Sequence, residues 1–334
     1  MNGYDVLTGG KLMISYKLKN DRYEVTIPAL TFGTGDFKRH DNDEVYFELL
    51  DKYIELGGWC IDTARVYCDW LENGHNSSEG VIGRWMKARN NRDKIVLSTK
   101  GGHPAMGHMD ENRLSREDLE KDINDSLEVL GTDHVDIFFL HRDDVHVPVD
   151  EIMPILNDIY ESGKAHFIGV SNWSCDRIQA ANDFAKKNGM EPIRISQIYY
   201  SLAHASSSIL GDPTLVCMDT KEFRWYSENK FPLMAFSPQA KGFFARLAKG
   251  DTAQYLPEGQ YASTANLARL AKVKELSRQT GDSPAVVPIG YLSSQPFFVT
   301  SVFAASRTWQ IEEDMTAQDL RYDAKTIAFL ENKI

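Results

Sequence analysis

A regular alternation of short apolar runs and amphipathic helical segments constrains the fold of this chain more than any other feature. Eight runs of strand character begin near residues 29, 60, 95, 135, 165, 194, 233 and 297, and seven of them precede a helical segment. Repeated strand–helix units predict parallel strands joined by right-handed crossovers. Eight such units in 334 residues favour an α/β fold of the (β/α)8 TIM-barrel type.

The segments outside this alternation predict a short N-terminal β-hairpin and C-terminal helices. Residues 11–28 alternate weakly around a polar break, and residues 307–316 and 318–333 have helical spacing. Residues 101–114 and 239–263 are predicted as long loops, and 214–229 as a helix. No linker or low-complexity tract interrupts the chain, so residues 1–334 are predicted to form a single domain.

Two helix starts carry local capping signals. Ser115 precedes a strongly periodic segment, Asp118 follows it at capping distance, and Gly131 is expected to end that helix. Ser77 is predicted to be the N-cap of a helix over residues 77–89.

The composition excludes several classes of partner. The net charge is -11, which argues against nucleic acids and anionic membranes as partners. No run approaches the roughly 18 apolar residues of a membrane span. Without an apolar signal core near the N-terminus, a cytoplasmic location is predicted. The four cysteines lack close pairs, so neither a metal site nor a disulfide framework is predicted.

Three successive apolar runs each end in a titratable residue. Asp62 ends the run from Cys60, Lys100 ends the run from residue 95, and His141 follows the run from residue 135. In a barrel of parallel strands, the carboxyl ends of the strands share one rim, which is where active sites lie. A buried Asp62 requires a cation, and Lys100 is the expected partner. Tyr67 follows Asp62 in the adjoining loop.

These four residue types suit the protonation of a carbonyl oxygen. A tyrosine pKa near 10 is too high for easy proton exchange at neutral pH. The Lys100 ammonium would favour the phenolate by roughly 4 kcal/mol at about 4 Å, so a net lowering of the Tyr67 pKa is predicted. Asp62 would keep Lys100 charged, and His141 would polarise the substrate oxygen. The hydride must come from a nicotinamide cofactor, because no side chain supplies one.

The motifs around these residues resemble those of the aldo-keto reductase superfamily over nearly the whole chain. The catalytic pattern is matched by Asp62, Tyr67, Lys100 and His141. Further matching segments are Ser78-Glu79 with Ile82-Gly83, Gly131-Thr132-Asp133 with Val135-Asp136, and Gly163-Lys164 followed by Ile168-Gly169-Val170-Ser171-Asn172. The resemblance implies a barrel that binds an extended nicotinamide dinucleotide without a glycine-rich Rossmann fingerprint.

The same resemblance implies a set of cofactor-binding residues. Ser171, Asn172 and Gln197 would hold the nicotinamide carboxamide, and Phe236 would stack on the ring where the family usually has tyrosine. The remaining contacts along the cofactor are expected from Gly33, Thr34, Ser237, Lys241, Ser306, Arg307, Gln310 and Glu313. A pairing of Arg307 with a 2′-phosphate would favour NADP over NAD, with NAD still open.

The substrate is predicted to be a small carbonyl compound or the corresponding alcohol. Trp70, Trp173 and Tyr199 are candidates for its pocket, and polar residues near 102–108 and 204–208 favour a polar or sugar-like carbonyl. Two other functions remain open: a non-catalytic nicotinamide-binding regulatory subunit and a metal-dependent barrel hydrolase. The hydrolase would require converging histidines and carboxylates near the first strand, and no H-x-H is present there.

Overall fold

A small sheet precedes the main fold. The computed structural model describes residues 5–8, 11–38, 43–251 and 260–333. Strands β1 (Asp5–Thr8), β2 (Lys11–Lys19) and β3 (Glu24–Pro28) form a sheet in that order, with β1 antiparallel to β2. The hairpin predicted over residues 11–28 corresponds to β2 and β3, and β1 is an addition to it.

Eight further strands close a barrel. They are β4 (Leu30–Gly33), β5 (Cys60–Asp62), β6 (Val96–Gly101), β7 (Val135–Leu140), β8 (Ala165–Ser171), β9 (Ile195–Tyr199), β10 (Leu233–Phe236) and β11 (Val299–Phe303). Their order around the barrel is β10-β11-β4-β5-β6-β7-β8-β9, and the pairings from β4 to β9 and from β10 to β11 are parallel. The predicted (β/α)8 fold is therefore confirmed.

Helices connect the strands of the barrel and follow the last one. They are α1 (Glu44–Glu55), α2 (Ser77–Arg89), α3 (Arg116–Leu130), α4 (Val149–Glu161), α5 (Cys175–Asn188), α6 (Ser207–Leu210), α7 (Thr220–Asn229), α8 (Phe243–Ala248), α9 (Thr264–Thr280), α10 (Val287–Ser293), α11 (Thr308–Asp314) and α12 (Ala324–Leu330). Among the residues described, no helix is long and apolar enough to cross a membrane.

The helix boundaries correct the sequence predictions at three places. The helix expected over residues 214–229 begins only at Thr220, where Asp219 accepts a hydrogen bond from the Glu222 amide and caps it. The loop expected over residues 239–263 contains α8, and its residues 252–259 lie outside the described residues. The last helix, expected over 318–333, is shorter and spans Ala324–Leu330.

The capping predictions were right for α3 and wrong for α2. Ser115 accepts a hydrogen bond from the Asp118 amide, and Gly131 ends α3 with a left-handed φ of 68°. Ser77, in contrast, is the first helical residue of α2, and the N-cap is Asn76. The reason is that the Gly80 amide donates to the Asn76 carbonyl at 3.0 Å, so the helical hydrogen bonds begin one residue earlier than expected.

Residues 17–27 and 31–197 form one compact unit. Every residue of β5, β6 and β7 is buried, as expected for parallel strands that are covered on both faces. Gly83 allows α2 to approach α3 closely, because a Cβ there would lie 2.6 Å from the Val129 carbonyl oxygen. The glycine of the S-E-x-x-I-G segment thus has a packing role.

Residues 28–30 and the chain from 198 onward, with the described residues before 17, form the second compact unit. Its core is rich in aromatic side chains. The Tyr226 ring lies 5.5 Å from Phe297, and the Phe243 ring lies 6.1 Å from Tyr261, measured between centroids. These contacts pack α7 and α8 against the hydrophobic core that includes residues of β10 and β11.

Candidate active site

Asp62 and Lys100 form a buried ion pair at the carboxyl ends of β5 and β6. The Lys100 Nζ atom lies 2.6 Å from Asp62 Oδ2 and also donates to the Thr63 carbonyl at 2.8 Å. Asp62 Oδ1 accepts from Ser98 Oγ at 2.7 Å. Both charged side chains are essentially inaccessible to solvent. The cationic partner predicted for the strand-end aspartate is therefore present.

Tyr67 joins this pair through its hydroxyl group. Lys100 Nζ donates to the Tyr67 hydroxyl oxygen at 2.9 Å and lies 4.7 Å from the centre of the ring. The turn that follows β5 holds the tyrosine there, with the Tyr67 amide donating to the Ala64 carbonyl. Two of the other predicted catalytic residues, Asp62 and Tyr67, thus accept hydrogen bonds from the ammonium group of Lys100.

The predicted lowering of the Tyr67 pKa is wrong in sign. Burial raises the pKa of Tyr67, and Lys100 offsets that rise only in part, while Asp62 adds to it. The desolvation of a phenolate outweighs the nearby cation because the cation is itself paired with Asp62. At neutral pH Tyr67 therefore carries its proton, as a proton donor must.

Lys100 is held in its charged form. Burial lowers the pKa of Lys100, but the neighbouring Asp62 and Tyr67 more than compensate, so that its pKa is raised overall. Gln197 supports the arrangement from β9, with its Nε2 atom donating to Asp62 Oδ1 at 3.2 Å. The carboxylate is thus fixed by Ser98 and Gln197 on one oxygen and by Lys100 on the other.

His141 lies beside Tyr67 but makes no hydrogen bond to it. Their ring centroids are 5.8 Å apart at an interplanar angle of 76°. Burial, with the neighbouring His103, Arg142 and Lys100, holds the pKa of His141 well below its usual range. The imidazole is therefore neutral at pH 7, and one of its nitrogens can donate a hydrogen bond to a substrate oxygen.

The sequence reasoning missed His103 as a neighbour of this site. The His103 ring lies 4.8 Å from the His141 ring, and its Nδ1 atom lies 2.7 Å from the Pro104 carbonyl oxygen. It follows Gly101-Gly102 in the polar loop after β6, where no local pattern distinguishes it from a solvated histidine. Ser98 was missed as well, although it faces Asp62 directly in the β5–β6 register.

Ser78, near the start of α2, forms hydrogen bonds with residues that adjoin Asp62. Ser78 Oγ donates to the Thr34 carbonyl at 2.9 Å and contacts the hydroxyls of Thr34 and Thr63 at the same distance. Thr34 Oγ1 donates to the Asp62 carbonyl at 3.0 Å, and Gly33 pairs with Asp62 in register. Both residues predicted to contact the cofactor from the first barrel strand therefore lie next to Asp62.

The predicted carboxamide-binding residues lie together at the ends of β8 and β9. The Asn172 amide donates to the Gln197 carbonyl at 2.9 Å, and Asn172 Nδ2 donates to Ser171 Oγ at 3.0 Å and to the His141 carbonyl at 3.3 Å. Asn172 adopts a left-handed φ of 59°, which asparagine tolerates better than most residues. The two side-chain amides are thus positioned beside His141 and Asp62.

Other predicted residues lie in the second compact unit. The Tyr199 and Phe236 rings are 5.9 Å apart, and Tyr199 donates its hydroxyl hydrogen to the Ala203 carbonyl. After β10, Ser237 and Lys241 adopt left-handed φ values of 50° and 55°. Lys241 is exposed, and no carboxylate pairs with it among the residues described.

The residues predicted to bind the adenosine end of the cofactor lie at and near the start of α11. Gln310 Oε1 accepts from the Ser306 and Arg307 amides at 2.8 and 3.0 Å. Arg307 is exposed and makes no ion pair within the described part of the chain. Glu313 is half-buried in the last turn of this helix, and burial raises the pKa of the adjacent Asp314 to about 7.

The two tryptophans predicted for the substrate pocket differ in environment. Trp70 is 50% exposed, and its ring lies edge-on to Tyr67 at 6.5 Å. Trp173 is fully buried beneath the Arg177 guanidinium, 5.0 Å from the ring centre. Trp70 is therefore exposed beside Tyr67, and the pocket roles predicted for both tryptophans stay predictions.

Comparison with known proteins identifies relatives among reductases and dehydrogenases. The chain is 32% identical to norsolorinic acid reductase B of Aspergillus parasiticus over 57% of its own length and 50% of the relative's. It is 35% identical to an aryl-alcohol dehydrogenase of Pestalotiopsis microspora over 47% of its length and 41% of the relative's. The chain thus spans half or less of these curated relatives.

Longer matches cover nearly the whole chain. An aldo-keto reductase [NADP(+)] of Schizosaccharomyces pombe is 26% identical over 93% of this chain and 88% of its own. A crystal structure of a thermostable aldo-keto reductase with the inhibitor epalrestat covers 96% of this chain and 99% of its own, with a TM-score of 0.71 at 21% identity. The family model for aldo/keto reductases matches residues 29–334. With this match over most of its length, the chain belongs to the aldo/keto reductase family.

Proposed function

We propose that this protein reduces a carbonyl compound to an alcohol with NADPH as the hydride donor. The observation that carries the proposal is the position of Lys100 Nζ, 2.6 Å from Asp62 Oδ2 and 2.9 Å from the Tyr67 hydroxyl oxygen. A buried ammonium held by a carboxylate and pointed at a phenol serves to release the phenol proton to an accepting oxygen.

The residues of the chain suit a nicotinamide dinucleotide. Ser171, Asn172 and Gln197 offer the hydroxyl and amide groups that a carboxamide requires, beside the buried His141 Nδ1, which has no partner among the described residues. The exposed cations Lys241 and Arg307 suit phosphate groups. When bound, such a cofactor supplies the hydride. Arg307 favours NADP, and the Schizosaccharomyces pombe relative is named as an NADP(+) enzyme.

The roles of the catalytic residues follow from their charge states. Neutral Tyr67 donates its proton to the substrate oxygen, and Lys100 stabilises the phenolate that remains. Neutral His141 donates a hydrogen bond to the same oxygen and polarises the carbonyl. Asp62 keeps Lys100 charged throughout, because burial alone would lower the pKa of that amine.

An aromatic carbonyl compound is the proposed substrate class. The half-exposed Trp70 ring lies 6.5 Å from Tyr67 and offers a face or edge for an aromatic substrate. The name of one relative, an aryl-alcohol dehydrogenase, agrees with this class. The polar or sugar-like carbonyl predicted from the sequence is the alternative that the experiment must separate from it.

A binding titration and a substrate screen test the proposal together. NADPH should quench the tryptophan fluorescence of the protein saturably, and NADPH oxidation should be faster with aromatic aldehydes than with oxidised sugars by about tenfold or more. Faster turnover of sugars would reject the aromatic class. Saturable binding with no turnover of any carbonyl would favour the regulatory-subunit alternative, and a lack of NADPH binding would reject the proposal.

A further inference from the structure

Two histidines and an aspartate meet at the amino end of the barrel strands. His134 directly precedes β7, Asp136 is the second residue of β7, and His166 is the second residue of β8. One potential ligand atom from each lies within 4.8 Å of the others. Asp136 and His141 lie five positions apart along extended chain, a span of roughly 16 Å, so this cluster is distinct from the catalytic rim.

Within the described part of the chain, the groups that orient Asp136 by hydrogen bonds and charge all contact one of its two oxygens. Its Oδ2 atom accepts from the Leu97 amide at 2.8 Å and pairs with the Arg92 guanidinium at 3.0 Å. Its Oδ1 atom lies 3.9 Å from His166 Nδ1, too far for a direct hydrogen bond. The carboxylate is therefore fixed in place with one oxygen facing the two imidazoles.

His134 has the outer partner that metal-binding histidines commonly have. Its Nδ1 atom lies 2.7 Å from Asp133 Oδ1. A carboxylate on one ring nitrogen fixes the tautomer and increases the basicity of the other, which leaves Nε2 as the ligand atom. The same chain segment thus supplies a ligand and the group that orients it.

The imidazoles are close but need a small rearrangement to share a metal ion. Their rings stack at 4.2 Å with an angle of 19°, and Tyr23 stacks on His166 at 3.9 Å. A metal ion lies in the plane of each imidazole that binds it, so one ring must tilt. His134 is the ring with room to do so, since its side chain is 25% exposed.

We propose that His134, Asp136 and His166 bind a transition-metal ion of the zinc type, with water completing a tetrahedral site. Two imidazoles and one carboxylate suit Zn²⁺, Co²⁺ and Ni²⁺ and are poor ligands for Mg²⁺ or Ca²⁺. Arg92 weakens binding by its charge, although Asp136 neutralises it in part. The ion would link the amino ends of β7 and β8 and take no part in the chemistry at Tyr67. No local sequence pattern marks this site, because His134 precedes β7 while His166 lies in β8.

A cobalt titration tests the site. Untagged, chelator-treated protein should bind one equivalent of Co²⁺ with the visible absorption bands of tetrahedral cobalt, and Zn²⁺ should displace it. His134→Gln and His166→Gln should each weaken Co²⁺ binding by about tenfold or more. His108→Gln is the matched control, because exposed His108 also lies beside a carboxylate, with Nδ1 3.3 Å from Glu111 Oε1, and should bind as the wild type does.

The histidine variants could fail to bind Co²⁺ because they misfold, so a variant of Asp133, which contacts His134 Nδ1, provides a second test. The Asp133 side chain is 93% exposed, so Asp133→Asn should fold normally, and about tenfold weaker Co²⁺ binding is expected. Circular dichroism checks the fold of every variant. The proposal is overturned if wild-type protein shows no tetrahedral cobalt bands, or if folded His134→Gln and Asp133→Asn both bind Co²⁺ as tightly as the wild type.

Discussion

Replacement of Lys100 by methionine removes the cation from a buried carboxylate while keeping the length of the side chain. Asp62 would retain the hydrogen bonds from Ser98 and Gln197 but lose the ammonium that lies 2.6 Å from it. The variant therefore tests how far the folded state depends on the buried ion pair of Asp62 and Lys100.

The expected loss of stability follows from opposing terms. At 2.6 Å and an effective dielectric constant near 20, the attraction between the two charges is about 6 kcal/mol. Burial costs each ion several kcal/mol, so the intact pair contributes little net free energy to the folded state. Removing one partner leaves the other charge buried and unpaired, and a decrease of about 3–5 kcal/mol in the free energy of unfolding is expected for Lys100→Met.

Urea unfolding of four proteins measures this effect. The set is wild type, Asp62→Asn, Lys100→Met and the double variant. The double variant removes both charges and should recover at least about 2 kcal/mol relative to Lys100→Met, because no unpaired ion remains. The reasoning is refuted if the free energy of unfolding of Lys100→Met lies within about 1 kcal/mol of the wild-type value. It is also refuted if the double variant is no more stable than Lys100→Met.

Three other changes have defined outcomes. Burial raises the pKa of Glu79 to about 7. Below the ordinary pKa of a glutamate the carboxyl is neutral in both states, and the fold has its full stability. Roughly 3 kcal/mol of that stability is lost by the time the pH has risen through 7. Glu79→Gln should reduce the loss of unfolding free energy seen between about pH 4 and 8, and an unchanged pH profile would contradict this. Burial likewise raises the pKa of Asp314 to about 7, so Asp314→Asn should reduce the same loss independently, and the double variant should show both effects. Arg307→Ala should weaken NADPH binding about tenfold or more and leave NADH within about twofold, as measured by fluorescence titration; equal losses would remove the 2′-phosphate role.

Structural features that depend on residues close together in the chain were predictable from the sequence. The Ser115 cap and the Gly131 stop of α3 are local hydrogen-bond and φ requirements, and both were confirmed. The barrel followed from the spacing of apolar runs. The convergence of Asp62 and Lys100 then followed from the single rim of parallel strands, without any knowledge of side-chain geometry.

Features that depend on the packed interior were not predictable in the same way. The sign of the Tyr67 pKa shift depends on how completely the phenol is desolvated, and burial is a property of the whole fold. The His103 ring, in the loop after β6, lies 4.8 Å from the His141 ring, and the loop sequence alone does not indicate this contact. Helix α8 was read as loop because glycines and polar residues flank the short apolar pair Phe243-Phe244, whose burial becomes visible only in the folded chain.

The proton transfer that we propose from Tyr67 to the substrate oxygen is tested most directly by single-turnover reduction of an aromatic aldehyde with NADPH bound in advance. Tyr67→Phe should reduce the rate of NADPH oxidation by about a hundredfold or more while NADPH binding stays within about twofold of wild type. Tyr160→Phe, a change in α4 well away from Asp62 and Lys100 in the chain, should leave both unchanged. A Tyr67→Phe enzyme that oxidises bound NADPH at the wild-type rate would contradict the account.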